Sequence, residues 1–323
     1  MAVRKHRLLV VDGHGYAYRA FYAIRHLRSP SGQAVNGIYG FVKMLAKLRA
    51  GLQPSHVVVV WDGGMDEERL AALPGYKAHR PEMPAELAEQ IDGMMAFLPV
   101  AGVASVCLEG VEADDWIGCV ARAAASAGWE VVVASADKDF LQLVTVESGV
   151  LGLGTGAEAH VPSPESREPE AGWVGLLNPN DKSERVWGVG EVRSKTGVNP
   201  SQVLDWLSLV GDAVDGIPGV PGVGTKTAAG LLNLFGSVDG IYARLAEVKS
   251  ERVREALRLA EGDVRRNQKL VALKSVAGFG FVPQDLVVKP GEMERLAALY
   301  RGWGFRGLLA ELEKLQMQQQ SLI

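Results

Sequence analysis

Four short runs, Leu8 to Asp12, Val57 to Asp62, Val106 to Glu109 and Val131 to Asp137, are rich in β-branched residues and continuously apolar. Continuous rather than alternating hydrophobicity is the pattern of strands covered on both faces. Between them, Val35 to Leu52, Met83 to Leu98 and Glu112 to Ala127 repeat apolar residues at three and four, with Trp116, Ile117, Val120 and Ala124 on one stripe of the last. Such alternation predicts an α/β domain with a mostly parallel sheet and helices on both faces. From Glu147 to Trp173 the texture turns to Gly, Pro, Ser, Ala and Glu without apolar period, which reads as a mobile surface loop or insertion. From Trp187 onward the pattern is helical, through Pro200 to Val210, Lys226 to Phe235, Ala243 to Ala260 and Glu292 to Leu315. The expected organisation is an α/β domain over 1–182 with 147–173 as its insertion, an all-α domain over 183–315, and a fraying Gln-rich tail over 316–323.

Composition changes this picture little. The 323 residues, 47% apolar and 22% charged, suit a soluble globular protein. Cys107 and Cys119 lie in apolar stretches without metal-ligand spacing and are expected to be buried small hydrophobes in a reducing interior. The N-terminus is basic, but the apolar run Leu8 to Val11 is too short for a signal peptide or membrane span, so a cytoplasmic protein is expected. A net charge of -4 argues against a nucleic-acid binder on average. The acids are clustered, however, and basic segments lie elsewhere, so the average conceals local fields.

Three predicted strands end in or run into an aspartate: Asp12, Asp62 and Asp137. In a parallel sheet all three reach the carboxyl edge, where open α/β sheets bind ligands. Glu112, Asp114 and Asp115 follow the remaining strand and open its helix. Any one of these acids alone reads equally as a helix cap or turn residue. Their convergence is more informative, because two carboxylates ~4 Å apart repel by about 4 kcal/mol at an effective dielectric of 20. A pocket of them requires cations or raised pKa values. Oxygen donors without a His/Cys cluster select Mg²⁺ or Mn²⁺, and a two-metal hydrolase is the natural chemistry. Asp212 and Asp215, in a Gly-rich turn of the helical part, read on their own as a turn or cap.

The segment Gly219 to Thr227, with Gly222, Gly224, Thr225 and Lys226, fails as a Walker A loop because Thr225 intrudes before Lys226 and no strand precedes it. It fits a helix-hairpin-helix, in which glycines permit a tight turn and amides at the next helix start face a phosphate. A plain interhelical turn remains the alternative. Tyr76-Lys77-Ala-His79-Arg80-Pro81, after a short charged helix, places an aromatic beside two cations, a combination suited to stacking a base and holding a phosphate, or simply to solvated surface. Arg19, Arg25 and Arg28 follow the first strand and add to a positive wall.

These motifs, in this order from about Leu8 to Leu312, resemble the bacterial 5'-3' exonuclease and flap endonuclease family. The resemblance rests on Val-Asp12-Gly13, Tyr18-Arg19-Ala-Phe21, Asn36-Gly-Ile-Tyr-Gly40-Phe41, Asp62, Tyr76 to Pro81, Glu112-Ala-Asp-Asp115, Asp137-Lys-Asp139-Phe-Leu-Gln-Leu, Gly211-Asp212 with Asp215, and the Gly219 hairpin. It implies a PIN-like α/β domain with a helical arch and a helix-three-turn-helix on duplex DNA, often with K⁺. It implies a first divalent ion on Asp12, Asp62, Glu112 and Asp114, and a second on Asp114, Asp137, Asp139 and Asp212, with Asp115 and Asp215 supporting. Lys77 and Arg80 resemble the arch cations on the scissile phosphate, Tyr76 the stacking aromatic, and Arg19 a further member of the catalytic set. The substrates implied are DNA with a 5' flap, nick or 5' end, and RNA paired to DNA. A monomer acting away from membranes, without an attached polymerase, is expected.

Three departures stand out, the first being that the loop Glu147 to Trp173 is longer than the family's usual one. Where the family often carries Asp-Ser-Ser-Asp-Asn, this chain has Asp212-Ala-Val-Asp215-Gly216, and the approach Gly-Gly-Met-Asp-Glu-Glu after Asp62 is unusually acidic. A rival reading from another class is a DNA junction-binding module with an impaired second metal site; the presence of all nine acids favours the enzyme. A haloacid-dehalogenase-type phosphatase would need Asp-x-Asp where this chain has Asp12-Gly-His14.

Overall fold

The computed structural model describes residues 6–147 and 172–320. Five parallel strands, β1 (Arg7–Asp12), β2 (His56–Trp61), β3 (Ala104–Cys107), β4 (Glu130–Ala134) and β5 (Trp173–Leu177), form one sheet in the order β3-β2-β1-β4-β5. The first half adds helices α1 (Gly13–Ala23), α2 (Asn36–Leu52), α3 (Glu67–Ala72), α4 (Ala85–Val100) and α5 (Ala113–Ser126). The second is helical: α6 (Val189–Thr196), α7 (Val203–Val210), α8 (Thr225–Phe235), α9 (Val238–Ala243), α10 (Glu251–Leu259), α11 (Glu261–Val271), α12 (Met293–Trp303) and α13 (Arg306–Gln320). No described helix is long and apolar enough to cross a membrane.

The continuous apolar runs are explained by the two faces of the sheet. Leu8, Val10, Val58, Val60, Val131 and Val133 join a cluster with Ile117 and Val120 of α5 and with Leu207, Leu232 and Val264 of the helical region. Leu9, Val11, Val57, Val59 and Val132 join the opposite cluster, with Phe41 of α2, Met94 of α4, and Leu296 and Leu312 of α12 and α13. Both sides of each central strand are therefore dry, as the absence of alternation requires. The helical region contributes to both faces, and its last two helices return to pack beside α2 and α4.

Several expectations need correction. β5 was not anticipated: the Gly- and Pro-rich texture runs up to Trp173, yet Trp173 to Leu177 pairs with Glu130 to Ala134 and is wholly buried. Most of the expected 147–173 insertion lies outside the described residues, and Trp173 belongs to the sheet. β3 is an edge strand with alternating exposure, so Cys107 is exposed, whereas Cys119 is buried as expected. The run Ala243 to Ala260 is broken, because Ser250 caps α10 by accepting from the Val253 amide. Glu292 to Leu315 is likewise two helices, divided where Gly304 takes φ 76° and Phe305 turns into the core. The first residues of the expected tail are helical, since α13 continues to Gln320. α1 also escaped the periodicity; Asp12 caps it by accepting from the Gly15 amide.

Candidate active site and nucleic-acid interface

Parallel register carries the aspartates to one edge. Asp12 pairs with Val60, two residues before Asp62, while Val11 pairs with Ala134, beside Ser135 and Asp137. Asp12 accepts from the Gly15 amide at 2.9 Å and from Ser135 Oγ at 2.8 Å. Asp62 accepts from the Ala113 amide at 2.8 Å, so it ties the end of β2 to the start of α5. Its other oxygen lies 3.6 Å from His14 Nδ1. Asp137 accepts from the Asp139 amide at 2.9 Å, and Asp212 from the Val214 amide at 2.9 Å. The capping and clustering readings of these acids are thus both realised: Asp137 and Asp212 each use one oxygen on an amide two residues on, while Asp62 uses one on the distant Ala113 amide.

Electrostatics follow from the convergence. Burial, with Asp137 and Asp62 adding to it, pushes Asp12 up to about 6 against the hydrogen bonds from Gly15 and Ser135. Burial and then the neighbouring Asp137 hold Asp114 and Asp139 well above the usual carboxylate range. Asp137 is raised as well, chiefly by burial. Asp139 Oδ1 is buried without a hydrogen-bond partner among the described residues. Among those residues no group of three or more His, Cys, Asp or Glu side chains is arranged to hold a metal ion as it stands. The donor chemistry nevertheless fits one, since the set offers only carboxylate oxygens, several strained by mutual repulsion, and one orphaned acceptor.

A basic cage stands against this acidic group. Glu112 Oε2 accepts from Arg69 Nη1 and Lys77 Nζ, each at 2.8 Å, and from Tyr76 Oη at 3.1 Å. Burial opposes its charge, but Lys77 and Arg69 prevail and hold its carboxyl below the usual range. Asp115 grips the Arg69 fork at 2.8 and 2.9 Å. Arg80 donates to Asp215 Oδ1 from Nη2 at 2.5 Å and from Nε at 3.1 Å, while the Lys77 amide donates to the Asp215 carbonyl at 2.9 Å. Gly216, at φ 70°, lets that loop approach so closely that a Cβ there would stand 2.8 Å from the Gly75 carbonyl oxygen. Lys138 Nζ lies 3.2 Å from Asp212 Oδ2. Asp212 and Asp215, from the helical region, are therefore seated beside the acids and cations of the α/β part.

Not every expected residue behaves as its pattern suggested. Tyr76 is buried with its hydroxyl on Glu112 and Lys77 Nζ 4.9 Å above its ring, so no free face is offered to a base. Arg19 is exposed on α1 and donates to Asn180 instead of joining the carboxylates. Arg28 is paired with Glu86 and the Gly32 carbonyl oxygen. The stretch carrying the expected arch cations is α3 followed by turns over 74–79 and irregular chain to Pro84, with Lys77 at φ 57°. Residues missed by the sequence reading include Arg69, Ser135, Lys138 and Lys274. Arg69 was hidden because Asp66-Glu-Glu-Arg69 reads as a solvated charged helix, and only a lone arginine among acids hinted at a bridge.

The glycine hairpin joins α7 to α8. Asp212 and Ile217 exchange both backbone hydrogen bonds at 2.8 and 2.7 Å, Gly222 takes φ 78°, and Gly224 precedes α8 without a side-chain cap. Thr225 and Lys226 are exposed at that helix start, where uncapped amides and the helix dipole favour an anion. Asn267 of α11, buried, fixes the hairpin by donating to the Ser208 and Pro218 carbonyl oxygens at 3.0 and 2.7 Å.

A parallel α/β sheet with carboxylates along its carboxyl edge, joined to a helical region bearing a glycine hairpin, defines the class of protein. Residues 7–163 match the 5'-3' exonuclease N-terminal resolvase-like domain, and residues 198–294 match the 5'-3' exonuclease C-terminal SAM fold. The chain belongs to the 5'-3' exonuclease family. It is 32% identical over 317 residues to the 5'-3' exonuclease of Aquifex aeolicus, covering 98% of this chain and 99% of that one. It is 34% identical over 320 residues to DNA polymerase I of Bacillus caldotenax, covering 98% of this chain but only 33% of the relative. The chain thus spans about a third of the length of the polymerase relatives it matches. In fold it is similar to the T5 D15 protein co-crystallised with metal ions, at 19% identity and a TM-score of 0.65 over 97% of this chain and 99% of that one. The catalytic core of Rad2 in complex with DNA substrate is similar at 13% identity and a TM-score of 0.56 over 93% and 90%.

Proposed function

We propose that this protein is a divalent-metal-dependent 5' nuclease that hydrolyses phosphodiester bonds of DNA at 5' flaps, nicks or 5' ends, including RNA paired to DNA. The observation that carries the reading is the convergence of Asp12, Asp62, Asp114, Asp137, Asp139 and Asp212 beside Lys77 and Arg80. Asp12, Asp62, Glu112 and Asp114 would hold one Mg²⁺ or Mn²⁺, and Asp114, Asp137, Asp139 and Asp212 a second, with Asp115 and Asp215 supporting. When bound, such ions lower the pKa of water and neutralise charge on a phosphate. Lys77 and Arg80 would exchange their present carboxylate partners for phosphate oxygens, orienting the scissile group. The hairpin Gly219, Gly222, Gly224, Thr225, Lys226 and Thr227, with K⁺ as a further ion there, would grip the duplex backbone without reading bases. Amides and one ammonium recognise phosphate, not sequence.

The deciding experiment incubates the purified chain with 5'-labelled flap, nicked duplex and single strand, in Mg²⁺, Mn²⁺ or EDTA. Metal-dependent release of 5' products from the flap is the expected result. Binding without cleavage in either metal would instead establish a junction-binding module.

A further inference from the structure

We propose that Arg69 is a positioning residue that holds Glu112 and Asp115 in place while Lys77 leaves Glu112 for a substrate phosphate. This inference rests on the nuclease reading above. The Arg69 side chain is 3% exposed, and its guanidinium spans four acceptor atoms on three residues, two at the start of α5 and one in the segment after α11. Nη1 donates to Glu112 Oε2 at 2.8 Å and Asp115 Oδ2 at 2.9 Å, and Nη2 donates to Asp115 Oδ1 and the Ala272 carbonyl oxygen, each at 2.8 Å. Nε is buried without a partner among the described residues, so the carboxylates dictate the placement of the fork.

The surroundings hold Arg69 in that position. Asp66 caps α3 by accepting from the Glu68 and Arg69 amides, and Lys274 Nζ donates to Asp66 at 2.6 Å. The Lys274 amide donates to Asp115 Oδ1 at 2.8 Å, closing the connection between α3, the start of α5 and residues 272–274. Once Lys77 departs, Glu112 Oε2 retains Arg69 and Tyr76. Its Oε1 has a single long contact, 3.4 Å from the Asp66 amide. Arg69 therefore fixes which oxygen is committed to the protein and which is left to a ligand. A planar fork bridges two carboxylates at once, whereas an ammonium acts as a point charge.

The test compares the wild-type chain with Arg69→Gln and Arg69→Lys, using Arg295→Gln as a surface control. Calorimetric titration with Mn²⁺ alone is expected to show affinity weakened about 10–100-fold in both Arg69 variants, as for groups that orient metal ligands. On a 5'-flap substrate kcat is expected to fall by a comparable factor while KM for DNA moves less than about threefold. Wild-type Mn²⁺ affinity and kcat in folded Arg69→Lys, or a loss confined to KM, would overturn the proposal. If Arg69→Gln does not fold, Arg69→Lys decides it. If the wild-type chain cleaves no substrate, the nuclease reading fails, and the Mn²⁺ titration alone decides the role of Arg69.

Discussion

Lys77 donates from Nζ to Glu112 Oε2 at 2.8 Å, so a cation suited to phosphate is neutralised by a carboxylate suited to a metal ion. Arg80 and Asp215 repeat the arrangement 2.5 Å apart. Both cations are thus paired with carboxylates in this structure. Removing Lys77 should expose the consequence: Lys77→Gln is expected to lower kcat on a 5' flap by about 100-fold, the scale of one preorganised charge donor lost from a phosphate. Single-turnover cleavage measures it, and an unchanged rate would remove Lys77 from the site.

Asp139 combines an orphaned buried oxygen with a strongly raised pKa. Asp139→Asn should therefore relieve repulsion and stabilise the metal-free fold by about 1 kcal/mol, a rise in Tm of about 2–4 °C. The same variant is expected to lose metal-dependent cleavage yet retain flap binding in Ca²⁺. Melting in EDTA and a cleavage assay in Mg²⁺ give the two readouts.

Metal itself should stabilise the wild type. At a concentration 100 times its dissociation constant, an ion bound only by the folded state contributes about 2.7 kcal/mol. Tm is expected to rise on adding Mn²⁺ and return on adding EDTA, with the rise blunted in Asp12→Asn.

Lys226 stands exposed at the start of α8. Lys226→Gln is expected to weaken binding to all DNA sequences alike and to reduce the slope of log affinity against log salt by about one. A loss confined to one sequence would contradict backbone recognition.

His56 supplies a pH dependence remote from the carboxylates. Burial first, and the neighbouring His6 second, lower its pKa from the ordinary 6.5. Its ring packs 4.3 Å from that of Trp129. The unfolded chain therefore takes up the proton first: stability from neutral His56 is whole above pH ~6.5 and declines as pH falls below it. Thermal melts between pH 7.5 and 5 should show a smaller decline in His56→Gln than in the wild type.

The central strands, the packed helices α2, α4 and α5, and the hairpin before α8 were legible because each carries a local period or turn chemistry. β5 was not, because Trp173 to Leu177 is too short to announce itself beside a Gly- and Pro-rich stretch and gains its identity by pairing with β4. The break at Ser250 and the exposure of Cys107 likewise depend on neighbours that no local window contains.

For the site, the sequence by itself determined which residues bear charge, and strand ends alone were enough to send Asp12, Asp62 and Asp137 to one edge of a parallel sheet. Tertiary structure decided how those charges are partnered. It buried Tyr76 against Glu112, turned Arg19 toward Asn180, and brought Arg69 across 46 residues to Asp115. The reason is physical: periodicity reports which face of an element is dry, whereas an ion pair between distant segments depends on where those elements finally pack.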